Sequence, residues 1–199
     1  EVKRSLGLIY AVNPFGADHQ SSEHDPAYEV SDYESYAARM AQLDLLDPQP
    51  ELSLGAEKVR FALYTQLFYS LADSINVCQF VYGPAWQLYD PNQLVAMARA
   101  VTGWDVSLWE LMKVGERRLN MMRAFNAREG FSRDQDTLPP KLARPRQGGP
   151  SDGYSFDPAE LERAKDLYYA MCGWDAHGLP TRPKLEELGL AWVADEIGL

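Results

Sequence analysis

Between residues 56 and 78, apolar side chains recur at Val59, Leu63, Leu67, Leu71 and Ile75, the four-residue spacing of one helical face. Phe61, Tyr64, Phe68 and Tyr69 widen that stripe until little of the surface is left for solvent. A helix that is apolar nearly all round needs neighbours on every side, so this segment predicts the centre of a helical domain. No alternating run of β-branched residues competes with it.

The remaining segments supply candidate neighbours. A helix is expected over 32–45, stopped by Asp47-Pro48-Gln49-Pro50 because a residue before proline is pushed out of the helical region. Asp90-Pro91 and Asp157-Pro158 each place a carboxylate at an N-cap and Pro at the first helical position, opening helices over 91–101 and 158–171. Ser107 and Glu110 have capping-box spacing and announce a helix over 108–128, with Leu108, Leu111, Met112, Gly115, Leu119 and Met122 inward. Thr181 is expected to cap a short last helix ending at Gly189. Gly103-Trp104-Asp105 and Gly173-Trp174-Asp175 each read as a glycine stop followed by an aromatic that packs back.

Two stretches look irregular. The first thirty residues hold one brief apolar run, Leu8 to Val12, followed by a turn-rich loop, Asn13-Pro14-Phe15-Gly16-Ala17-Asp18-His19. Residues 132–156 are rich in Pro, Gly, Arg and Ser and form a long surface excursion. The fold class is therefore all-α: a single multi-helical domain of roughly six or seven helices over 1–199. Residues 1–131 form its core, 132–156 the excursion and 157–199 the C-terminal helices.

Composition removes several function classes. With 19 Lys+Arg against 29 Asp+Glu, the net charge of −10 disfavours nucleic acid or an anionic membrane as partner. No apolar run approaches the ~20 residues that span a bilayer. A chain of 199 residues buries a core without staples, and two distant cysteines make neither a disulfide scaffold nor a self-contained metal site. No signal peptide is expected, and a start without Met fits a piece of a longer protein or a processed one.

Site signals are sparse. Gly-rich phosphate loops, CxxC and HExxH are all missing from the sequence. His19 and His24 lie in the polar loop, where a histidine is ordinarily a surface or structural residue. Asp73 sits on an otherwise apolar segment five residues before Cys78. A carboxylate buried there needs a partner, either an Arg from a neighbouring helix or a ligand with donor groups. Cys78 and Cys172 are, taken singly, small core residues. Arg123, Asn126, Arg128 and Glu129 end a helix, where cations suit the dipole.

Four stretches resemble the tungsten aldehyde:ferredoxin oxidoreductase family in order and spacing. They are Ala11 to His19, Asp73 to Cys78, Thr102-Gly103-Trp104-Asp105, and Arg123 to Phe131 with Asp136 to Pro140 after it. The resemblance covers most of the chain and implies the C-terminal helical part of a longer, cytoplasmic enzyme. Such enzymes oxidise aldehydes to carboxylic acids at tungsten held by two pterin dithiolenes, and pass electrons through a [4Fe-4S] cluster to ferredoxin. Molybdenum in place of tungsten, and a homo-oligomer, are both compatible with the resemblance.

It implies roles residue by residue. Cys78 matches the fourth cluster ligand, the other three coming from an upstream CxxCxxxC run. Asp73 matches the acid of a D-x-x-G-L-C motif that binds a pterin amine, and His19 matches a histidine beside the metal. The motif here reads Asp73-Ser74-Ile75-Asn76-Val77-Cys78, so Asn76 replaces Gly and Val77 replaces Leu. Asn tolerates left-handed backbone, so the turn is expected to persist, and Val77 keeps an apolar contact. The isolated chain is expected to be inactive and to carry no cofactor, its partner being the missing N-terminal pterin-binding region. Two alternatives stand beside this reading: a helical scaffold without redox chemistry, and a relative acting on an aromatic coenzyme A thioester.

Overall fold

A computed structural model describes residues 3–199, and among these it contains eight α-helices and no sheet. They are α1 (Arg4–Val12), α2 (Tyr33–Met40), α3 (Ala56–Ser74), α4 (Pro91–Thr102), α5 (Leu108–Arg128), α6 (Pro158–Cys172), α7 (Arg182–Glu187) and α8 (Ala191–Glu196). The domain is all-α, as the patterning predicts.

Helix α3 is the axis, packed against α1, α5 and α6. Val59, Leu63 and Leu67 face one core with Ile9, Val12, Leu161, Tyr168 and Trp174. Phe61, Phe68 and Leu71 face a second with Tyr28, Met40, Leu45, Leu94 and Leu111. Two cores on opposite sides explain why its apolar residues leave no solvated face. Where α5 crosses α3, a Cβ added to Gly115 would lie 2.0 Å from the Leu67 carbonyl oxygen, so the backbones meet at a glycine.

The expected capping boxes form. Asp90 accepts from the Gln93 N–H at 2.8 Å and Ser107 from the Glu110 N–H at 3.2 Å, each with the reciprocal bond. Asp157 accepts from the Ala159 N–H at 2.9 Å. Thr181 occupies an N-cap position, but its hydroxyl donates to the Gly173 carbonyl at 2.9 Å instead of accepting from α7. Trp174 packs back and is 5% exposed, whereas Trp104 does not and is 66% exposed.

Three expectations are corrected. The run beginning the chain is not irregular but helical. Its N-terminus lacks a local cap because Lys3 precedes it, and Asp25 supplies one from afar, accepting from the Ser5 and Leu6 N–H groups at 3.0 and 3.3 Å. Helix α3 ends at Ser74, four residues short of the expected boundary, because Asn76 turns the chain. The 32–45 helix is shortened, continuing from α2 only as a 3₁₀ turn over Ala41–Leu43. Helix α8 carries no side-chain cap, and the sequence did not announce it.

The 132–156 excursion is mostly exposed but anchored at both ends. Asp136 pairs with buried Arg123, at 2.8 and 2.7 Å. Phe156 fills the space left by Gly7, where a Cβ would meet its ring at 2.3 Å.

Candidate functional site

The last turn of α3 brings Asp73 out of the core immediately after buried Leu71 and Ala72. Beyond it Asn76 adopts φ 58°, the left-handed conformation for which the resembled motif uses glycine. The Val77 N–H then donates to the Ala72 carbonyl at 3.0 Å, closing the helix, and Val77 packs against the second core. Cys78 follows as an exposed thiol. Its carbonyl accepts from Val81 and Tyr82 at 3.0 and 3.1 Å, so the turn carrying it is itself hydrogen-bonded. Beside it, Phe80 and Trp86 are 55% and 53% exposed, with ring centroids 5.5 Å apart.

The expectation of a buried acid is corrected. The Asp73 side chain is 42% exposed, because the register of α3 aims it outward at α5. Its Oδ2 lies 3.1 Å from Arg118 Nη1, and Gln79, next to Cys78, donates to its Oδ1 at 3.3 Å. The turn after α3 thus folds back onto the carboxylate. Arg118 escaped sequence reasoning because nothing but the α3–α5 crossing distinguishes it from other cations on that helix.

The loop after α1 reaches the same place. A narrow cleft of about 20 Å³, open to solvent, is lined by Asn13, Phe15 and Asp18 from the loop, by Asp73 from α3 and by Arg118 and Met122 from α5. The loop is held by Asn13 Nδ2, which donates to the Gly16 carbonyl and to Ser21 Oγ at 2.9 and 2.7 Å. Asn126 of α5 donates to the Pro14 carbonyl at 2.8 Å, which gives this residue a role the sequence left open. Arg128 and Glu129 form an exposed pair with each other at 3.1 Å.

His19, the next residue after Asp18, is exposed. Its Nδ1 is 2.5 Å from the Tyr10 hydroxyl, and its ring meets that of His24 edge-on, 4.4 Å between centroids. Burial, chiefly, with His24 and Lys3, holds the His19 imidazole below the ordinary 6.5, against the opposing pull of Asp18. His24 is therefore a direct neighbour of His19.

A larger groove of about 400 Å³ lies between α3, α5 and α6, lined by residues such as Leu63, Leu67, Met112 and Met171, and it touches none of these candidates. Size would favour it. Its charged rim, however, is satisfied internally, since Lys113 and Lys184 each pair with both Glu116 and Glu187.

No group of three or more His, Cys, Asp or Glu among the described residues could hold a metal by itself. An exposed thiol on an ordered turn fits one ligand of a shared cluster, and an outward carboxylate among polar neighbours fits a receptor for amine or ring N–H donors.

The family model "Aldehyde ferredoxin oxidoreductase, domains 2 & 3" matches residues 1–190. The chain belongs to the aldehyde ferredoxin oxidoreductase family. It is similar to the tungsten-containing aldehyde ferredoxin oxidoreductase of Thermococcus kodakarensis, 31% identical over 189 residues covering 93% of this chain and 28% of that protein. The Pyrococcus furiosus protein of the same description is 31% identical over 190 residues, again 93% and 28%. The WOR-like subunit of an aliphatic sulfonate oxidoreductase from Pyrococcus furiosus is 26% identical over 139 residues, 66% of this chain and 21% of that one. The fold is shared with a chain in the active-site complex BamBC of benzoyl coenzyme A reductase, at TM-score 0.58 and 24% identity, over 70% of this chain and 20% of that one. An aldehyde ferredoxin oxidoreductase family chain of this extent spans under a third of the length of the curated relatives. Among the described residues no helix is long and apolar enough to cross a membrane.

Proposed function

We propose that this chain is the C-terminal helical part of a tungstopterin oxidoreductase that converts aldehydes to carboxylic acids, with electrons leaving through a [4Fe-4S] cluster to ferredoxin. The observation that carries the reading is convergence. Asp73 lines one cleft with Asn13, Phe15 and Asp18 of the loop that carries His19, and Gln79, the neighbour of Cys78, bonds Asp73, although neither His19 nor Cys78 lines that cleft itself.

Each residue has a distinct task. Cys78 supplies one thiolate to a cluster whose other ligands come from the N-terminal region, and one thiolate alone cannot retain it. Asp73 accepts N–H donors from a pterin, exchanging its exposed bond with Arg118 for them. Asn76 and Val77 set the angle between these two side chains by closing α3 and anchoring the turn. His19 holds a proton at the substrate oxygen. The tungsten supplies the two-electron redox step when bound.

The test is substitution in the holoenzyme, the protein containing both regions and loaded with both cofactors. His19→Ala should lower turnover by roughly 10²–10⁴-fold with tungsten and iron content unchanged. Unchanged turnover would reject the role. Sequencing upstream of Glu1 should reveal a CxxCxxxC run, and its absence from the natural gene would favour a scaffold.

A further inference from the structure

We propose that the groove between α3, α5 and α6 is a binding site for an uncharged aromatic molecule. The proposal stands on the groove's own lining and does not depend on the roles of His19, Asp73 or Cys78.

Volume sets the size of the occupant. About 400 Å³ lies at the small end of ligand pockets, well above the roughly 150 Å³ that holds one benzene. Leu63 and Leu67 of α3 are only 3% and 8% exposed, so part of the lining is core rather than outer surface.

Charge decides what the occupant lacks. Four charged side chains line the groove, and each already has an ion-pair partner within the chain. Asp44 pairs with Arg60, while Lys113 and Lys184 both pair with Glu116 and with Glu187 at 2.7–2.9 Å. Asn120 is likewise committed, donating to the Glu116 carbonyl at 2.9 Å and accepting from the Trp174 indole at 2.8 Å. A carboxylate or ammonium entering here would lose hydration and gain no counter-ion in return.

The apolar lining decides what the occupant has. Trp109 and Tyr64 supply π-systems, and Met112 and Met171 supply polarisable thioethers. All four favour an aromatic ring over an alkyl chain. Trp109 is 70% exposed, yet the Lys113 ammonium lies 4.7 Å from its ring centroid and is itself fixed by two carboxylates. The Arg60 guanidinium lies 5.3 Å from the Tyr64 ring centroid in the same way, tied to Asp44 and Glu57. Rings set in place before a ligand arrives spare it the cost of ordering them.

The experiment is an NMR titration of the 199-residue chain, ¹³C-labelled at the methionine methyls, with indole as the probe. Of the six methionines, Met112 and Met171 line the groove. Their methyls should shift together and saturably, with a dissociation constant of roughly 10–500 µM, while the other four stay in place. Indole-3-acetate, the same ring with a carboxylate, should bind at least about tenfold more weakly. Trp109→Ala removes one aromatic wall at an exposed position and should weaken indole roughly 3–10-fold without lowering the melting temperature by more than a few degrees.

Shifts spread evenly over all six methyls, a titration that does not saturate, or equal binding of indole-3-acetate would overturn the proposal. Unchanged indole affinity in folded Trp109→Ala would overturn the aromatic class. Met112 and Met171 signals that move with protein concentration alone would make a second copy of the chain the occupant instead. Loss of indole binding in the full-length protein, measured by calorimetry, would give the groove to the N-terminal region and equally overturn the proposal. The wild-type titration decides the site even if Trp109→Ala misfolds.

Discussion

Asp73 Oδ2 lies 3.1 Å from Arg118 Nη1, joining the end of α3 to α5 through a pair whose side chains are 42% and 32% exposed. A pair so solvated contributes under about 1 kcal/mol. Asp73→Ala should therefore leave the melting temperature of the 199-residue chain within a few degrees of wild type, while lowering pterin and tungsten content in the holoenzyme. A loss above about 2 kcal/mol in the isolated chain would make Asp73 a structural residue instead.

Arg123 and Asp136 behave differently because they are only 3% and 7% exposed. Arg123 Nε also donates to the Gly178 carbonyl at 2.6 Å, the Tyr169 hydroxyl donates to Asp136, and Lys165 donates to the Asp136 carbonyl at 2.9 Å. Removing one partner strands a buried charge, a cost of about 3–5 kcal/mol. Asp136→Ala should thus be far more destabilising than Asp73→Ala in urea unfolding, and should loosen the 132–156 segment to proteolysis first. Equal costs for the two substitutions would contradict this distinction.

The glycine crossing gives a third comparison. Gly115→Ala would drive its Cβ into backbone of α3, which cannot move as a side chain can. A destabilisation of about 1–3 kcal/mol is expected, against the small gain usual for Gly to Ala in a helix. Thermal unfolding decides the sign.

The two thiols should separate in reactivity. Cys78 is exposed, whereas Cys172 is buried against Tyr168, and burial pushes its thiol well above the ordinary range. A disulfide reagent should modify one thiol rapidly in the folded chain and the second only after denaturation. Rapid reaction of both, or protection of Cys78 in the 199-residue chain, would show that the turn after α3 lies otherwise.

Local signals account for what the sequence revealed. Helices α4, α5 and α6 carry their own N-caps, and α3 announces itself by being apolar on both core-facing sides. Helix α1 was illegible because its cap is Asp25, held against buried Lys58 at 3.2 Å and reached only through the tertiary fold. The same reason hid Arg118: its importance lies in a partner 45 residues away. Asn76 was legible because a left-handed residue after a helix is a local demand, which Asn meets better than most. The exposure of Asp73 was not, since it depends on where α3 leaves the core.

The central claim is that Cys78 and Asp73 serve different cofactors from one turn. The most direct measurement is iron and tungsten content of the holoenzyme carrying Cys78→Ala or Asp73→Ala, with melting temperature measured on the same samples. The account predicts that Cys78→Ala loses iron or alters the cluster potential first, and that Asp73→Ala loses tungsten while iron persists. Full iron and full tungsten in both variants would contradict it.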